Sequence, residues 1–118
     1  MTNSTQVNLE MIRGDTFSFD LILHDIEPES IESLYFTVKR RATDSDSAAV
    51  LQKSLANGGI TRIDGDDLRY RVRVAPADTA GVAARTYAYD VQVGIGVDIF
   101  TFVRGNLTVE QDVTEAME

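Results

Sequence analysis

From residue 68 to residue 109 the chain alternates apolar and polar positions with a period of two. Leu68, Tyr70, Val72 and Val74 interleave with Arg69, Arg71 and Arg73; Tyr87, Tyr89, Val91, Val93 and Ile95 interleave with small or polar residues; residues 99–109 continue the pattern. Successive side chains of a strand point to opposite faces, so the pattern predicts strands with one buried face and sets the arginines on the other. The same period runs upstream. Val7, Leu9 and Met11 share one phase in residues 7–12, Phe17, Phe19, Leu21 and Leu23 in 16–24, and Leu34, Phe36 and Val38 in 32–40; 50–55 and 60–63 read as shorter strands.

Turn chemistry punctuates these runs. Arg13-Gly14-Asp15, Asn57-Gly58-Gly59, Asp64-Gly65-Asp66-Asp67 and Gly94-Ile95-Gly96-Val97-Asp98 each join two extended segments, using Gly for positive φ and Asn or Asp for local side-chain bonds. Residues 25–30, with Pro28 among acids, and the polar run 41–47 read as loops. Between Val74 and Thr86, Pro76 fits the first position of a helical turn and Gly81 its end, predicting one short turn over Pro76–Ala80. About seven strands and a single helical turn predict an all-β fold, a two-sheet antiparallel immunoglobulin-like β-sandwich. Residues 1–118 form one domain in this reading, with a polar lead-in over 1–6 and an acidic tail over 111–118.

Composition narrows the function classes. A chain of 118 residues can bury enough surface for one core without staples. It has no Cys, which removes disulfides, thiolate metal sites and cysteine nucleophiles. No apolar run reaches bilayer-spanning length and the first fifteen residues lack an export signal, so no membrane partner is expected. The formal charge of −8 repels phosphate backbones, so no nucleic-acid partner is expected either.

Candidates for chemistry each have a simpler structural reading. His24, the single histidine, falls out of phase with the core positions at a strand end and has no nucleophile at a recognisable spacing. Asp64, Asp66 and Asp67 could gather oxygens around a cation, yet the segment lacks the longer ligand array of a calcium loop and reads as an acidic hairpin turn. Gly94-Ile95-Gly96 lacks a third glycine and a following helix, so it is a turn and not a dinucleotide cradle. Arg13-Gly14-Asp15 matches an integrin-recognised tripeptide but suits a plain turn. Arg69, Arg71 and Arg73, with Lys39, Arg40 and Arg41 as the other basic cluster, read as a solvated face neutralised by cross-strand acids such as Asp20 or Asp90. No catalytic residue, cofactor or small-molecule substrate is expected.

Large apolar residues out of phase with the core point to contacts between chains. If Ile99, Val103, Leu107 and Val109 face inward, then Phe100 and Phe102 face outward, as do Ile22 and Tyr35, and these four are the interface candidates. The alternative is a β-bulge at Arg104-Gly105, which flips the phase and returns Phe100 and Phe102 to the core.

The segments "RGDTFSFDL" (13–21), "LYFTVKR" (34–40), "LQKS" (51–54), "GGI" (58–60), "VAPADTAGV" (74–82), "TYAYDVQV" (86–93) and "FTFVRGNLTVEQDVT" (100–114) together resemble immunoglobulin-like β-sandwich domains of tailed-bacteriophage structural proteins. The closest resemblance is to the N-terminal domain of phage upper baseplate proteins. It implies a non-enzymatic structural part of a virion, in the tail or baseplate, meeting other virion proteins and copies of itself, and formed in the host cytoplasm. It carries over no functional residues. An adhesion or carbohydrate-binding module is the alternative; it needs exposed aromatics beside acidic or amide groups in loops, and the loops here offer almost no aromatics.

Overall fold

The computed structural model describes residues 5–22, 31–41, 43–45, 48–63 and 69–111. Among them are nine strands and one helical turn: β1 (Thr5–Gln6), β2 (Leu9–Ile12), β3 (Phe17–Ile22), β4 (Ile31–Lys39), β5 (Leu51–Ser54), β6 (Ile60–Arg62), β7 (Arg69–Val74), α1 (Pro76–Thr79), β8 (Arg85–Ile95) and β9 (Asp98–Glu110). They form two sheets. The larger runs β1-β9-β8-β4-β5, with β2 also on β9, and the smaller runs β3-β7-β6. This is an all-β, immunoglobulin-like β-sandwich, the last strands and β4 making one sheet and β3, β6 and β7 the other, as in the two-sheet division of that architecture.

The inner faces are those that the alternation marks. Leu34, Phe36, Val38, Tyr87, Tyr89, Val91, Val93, Leu107 and Val109 of the larger sheet close on Leu21, Ile60, Tyr70, Val72 and Val74 of the smaller, all buried. Aromatic rings tie the layers together. Phe19 meets Phe36 edge-on with centroids 5.2 Å apart, and Phe36 meets Tyr89 at 5.6 Å, occupying the middle of a sandwich that has no Cys pair to bridge it. The Tyr87 hydroxyl donates to the Ala83 carbonyl at 2.6 Å, four residues upstream at the entry to β8, which is the geometry of the tyrosine corner of immunoglobulin-like domains.

Three departures from the sequence expectation are informative. The expected strand over 7–12 shortens to β2, the end of the expected polar lead-in over 1–6 forms β1, and both pair parallel with β9, so the larger sheet is mixed and not wholly antiparallel. The cause is an approach that only glycine permits: a Cβ built on Gly105 would lie 2.0 Å from the Val7 carbonyl oxygen. That carbonyl accepts the Tyr89 hydroxyl at 2.6 Å, while the Val7 N–H donates to the Arg104 carbonyl at 2.9 Å. Gly105 therefore marks where the first strand crosses onto the last. The expectation of about seven strands becomes nine, one of them being β1 in the segment read as lead-in.

The third departure concerns the phase of β9. A register shift leaves Phe102 as the extra residue between the pairs Val91–Val103 and Gln92–Thr101, so a bulge exists but sits at Phe102 and not at Arg104-Gly105. Upstream of it Phe100 pairs with buried Val93, and Phe102 packs half-buried against the core. Ile99, expected inward, instead pairs with Gly94 on the outer face and is exposed.

Candidate functional site

Phe100 and Phe102 are half-buried, whereas Ile22 and Tyr35 are exposed, so the phase shift at Phe102 divides the four interface candidates into two pairs. In place of the phenylalanines, the β8–β9 connection presents Val97, 98% exposed, and Ile99, 69% exposed. Gly96 is the first central residue of this two-residue turn and has φ 61°, as the primed hairpin turns require, which leaves Val97 at the apex of the long hairpin. Sequence reasoning missed Val97 because a turn residue carries no strand phase.

Behind that apex the outer face of the larger sheet is polar. Cross-strand registers build two rows: Gln52, Thr37, Asp90 and Arg104 in one, and Ser54, Tyr35, Gln92 and Thr101 in the next. Tyr35, Thr37, Gln52, Asp90 and Gln92 of these rows, with Lys39 and Ile99, line a recess of about 410 Å³. Thr37 is only 7% exposed although it stands on the solvent side, and its hydroxyl accepts the Gln52 amide N–H at 3.0 Å. A second depression, about 370 Å³ and mostly apolar, opens between the layers where Val7, Leu9 and Phe102 face Phe19 and Leu21.

On the smaller sheet two of the stripe's three arginines meet Asp20, one of the cross-strand acids expected there. Asp20 sits between Arg71, whose Nε donates at 2.8 Å, and Arg69, whose Nη1 lies at 3.4 Å. The Arg71 hydrogen bond is the largest influence on the Asp20 carboxyl and holds it below its ordinary range, against a smaller opposing loss of hydration; Arg71 is held correspondingly higher. Two of the three arginines of this face are thus tied to one carboxylate.

Arg13-Gly14-Asp15 also has a structural task. The Gly14 N–H donates to the buried Thr79 hydroxyl at 2.8 Å, fastening the β2–β3 turn to α1. The Asp78 carboxylate in turn accepts the Ala75 N–H at 2.7 Å and Lys53 Nζ at 2.8 Å. Partial burial works to raise its pKa, but the Lys53 and Ala75 hydrogen bonds outweigh it and the carboxyl is lowered. Burial alone raises the Tyr89 phenol.

His24, Asp64, Asp66 and Asp67 lie outside the described residues. Among the described residues no group of three His, Asp or Glu side chains has the spacing to hold a metal ion, and no helix is long and apolar enough to cross a membrane.

No protein-family model and no curated protein sequence matches the chain. Solved structures do. The endo-β-1,4-mannanase from Thermotoga petrophila aligns over 92% of this chain with a TM-score of 0.54 at 9% identity. A protein assigned as a glycoside hydrolase from Bacteroides vulgatus aligns over 92% with a TM-score of 0.50 at 18% identity. The second Ig domain of the mouse polymeric immunoglobulin receptor aligns over 96% of this chain and 100% of its own, with a TM-score of 0.45 at 12% identity. The chain corresponds to only 18% and 17% of the two larger proteins. At these identities the likeness is one of fold.

Proposed function

We propose that this chain is a non-catalytic assembly module, a structural part of a tailed-bacteriophage virion in the tail or baseplate, formed in the host cytoplasm and working through contacts with other virion proteins and with copies of itself. The observation that carries the self-contact is the apolar end of the β8–β9 hairpin, where Val97 and Ile99 stand exposed on a chain of net charge −8. Two branched apolar side chains at a projecting apex keep their contact area in water until something covers them, and covering them is favourable by about 25 cal/mol per Å². The resemblance of the strand and turn segments to phage β-sandwich domains supports the virion setting.

Light scattering across a concentration series tests the self-contact. Apparent mass should rise above the 13.0 kDa of one chain and fall back in Val97→Ser and Ile99→Ser. A wild-type chain that stays monomeric at high concentration, or variants that associate as it does, defeats this reading. The virion setting has its own test in gene context: neighbours for tail or head morphogenesis are expected, and an unrelated metabolic cluster counts against it.

A further inference from the structure

We propose that the outer face of the larger sheet is a saccharide-binding surface whose ligand is an oligosaccharide carrying a carboxylate. This goes beyond the assembly role, which rests on the hairpin apex. The two polar rows run side by side across four strands of the sheet, Gln52-Thr37-Asp90-Arg104 beside Ser54-Tyr35-Gln92-Thr101. Strands are ~4.8 Å apart and alternate residues ~7 Å apart along a strand, so the rows offer a strip ~14 Å long and ~7 Å wide, the scale of a few sugar rings.

The side-chain types suit vicinal hydroxyls. Each sugar hydroxyl donates and accepts, and the amides of Gln52 and Gln92 and the hydroxyls of Thr37 and Thr101 do both, while Asp90 accepts and Arg104 donates. The recess of about 410 Å³ over these rows lies on long paired strands, so its groups are held in place before a ligand arrives. Gln52 and Thr37 are already joined at 3.0 Å. Tyr35, exposed in the second row, supplies a flat amphipathic ring against which the C–H face of a sugar can lie.

Charge selects within the class. The whole chain is acidic at −8, yet Lys39 lines this recess, and an adjoining depression of about 190 Å³ that shares Thr37, Lys39 and Asp90 with it is lined by Arg104, so two cations stand here against the carboxylate of Asp90. Among the described residues none pairs with the Arg104 guanidinium, unlike Arg69 and Arg71, which Asp20 engages. A planar guanidinium recognises a carboxylate through two parallel hydrogen bonds. Nucleic acid, with its dense negative charge, is disfavoured by the acidic remainder, and amides, hydroxyls and charges outnumber the apolar surfaces of Tyr35 and Ile99 in the lining, where a protein interface core would be mainly apolar.

Titrating the full chain with trigalacturonate, and separately with the neutral trigalactose, while following backbone amide NMR signals, tests the proposal. Saturable shifts centred on Gln92, Thr101 and Arg104 are expected with the acidic trimer, with at least tenfold weaker binding in Arg104→Ala and in the neutral trimer. Gln92→Ala, also at a surface position, should weaken both sugars. Val97→Ser should leave the binding unchanged, which separates this site from the assembly contact. No saturable shift, a shift map elsewhere, equal binding of the two trimers, or full affinity in Arg104→Ala overturns it. So does finding that the same amides shift on concentrating the protein without sugar, since a second copy would then occupy the face.

Discussion

Replacing Gly105 by alanine should detach the first strand from the last. A Cβ at this position would lie 2.0 Å from the Val7 carbonyl oxygen, 2.8 Å from its carbon and 3.2 Å from Asn8 Oδ1. Close C···O contacts settle at ~3.3 Å, so Val7 must withdraw by ~1.3 Å. The Tyr89 hydroxyl now reaches that carbonyl at 2.6 Å, and the withdrawal carries the pair past hydrogen-bond range. A buried hydroxyl left without its partner costs ~1–3 kcal/mol and the forced backbone shift a comparable amount, giving about 3 kcal/mol in all. For a domain of this size that is about 10 °C in Tm. Thermal and urea unfolding measure the loss, and amide exchange at Leu9–Ile12 should quicken beyond the global change. A double-mutant cycle isolates the mechanism: Tyr89→Phe costs about 1 kcal/mol in the native background and almost nothing beside Gly105→Ala. A Gly105→Ala protein within ~0.5 kcal/mol of the parent, or a Tyr89→Phe cost that is the same in both backgrounds, refutes the reasoning.

Other consequences are as specific. Gly94→Ala should be mild, under ~1 kcal/mol, because its Cβ meets only the rotatable Ser33 Oγ, at 2.2 Å; Ser33→Ala in the same chain should erase the cost, and a loss as large as that of Gly105→Ala contradicts the comparison. Thr79→Val removes the acceptor for the Gly14 N–H and should lower stability by ~1–2 kcal/mol while speeding Gly14 exchange, so unchanged protection there rejects the anchor. Asp78 is lowered in the folded chain, so its stabilising contribution is present above the unfolded value of 3.8 and is lost as pH falls through the lower folded value. Urea midpoints should therefore drop on acidification below about pH 4, with Asp78→Asn reducing that drop by about 1 kcal/mol; equal pH dependence in the two proteins removes Asp78 from the account.

The layers were legible because alternation encodes them directly. Phe36, Val72, Tyr89 and Leu107 are buried on the faces that a period of two assigns, and the Pro76 and Gly81 signals bracket α1. What a single strand's pattern cannot encode is the partner's register. Gly105 carries two meanings in a strand, a bulge or a close backbone approach, and choosing between them requires knowing that Val7 crosses there. The bulge at Phe102 left no glycine to announce it, and so Ile99 reads as core in the sequence and as surface in the fold. The polar rows were illegible for the same reason: Gln52, Thr37, Asp90 and Arg104 are far apart in the chain and become neighbours only through three strand pairings.

The same pairings bear on how copies of this chain would meet. Sheet proteins associate most readily by adding strand to strand along long, flat, unpaired edges. The edges here are poor templates: β5 has four residues, β6 has three, and the β1–β2 edge is interrupted at Val7 and Asn8. β3, the longest at six residues, keeps its outward Asp20 tied to Arg69 and Arg71. The two most exposed of the large apolar side chains lie instead at the β8–β9 apex, where Val97 and Ile99 are held away from every edge. Association through that apex buries side chains without extending either sheet. It should therefore leave the far-ultraviolet circular dichroism unchanged as mass rises, whereas a gain in strand signal with concentration would show edge addition and displace the hairpin from the contact.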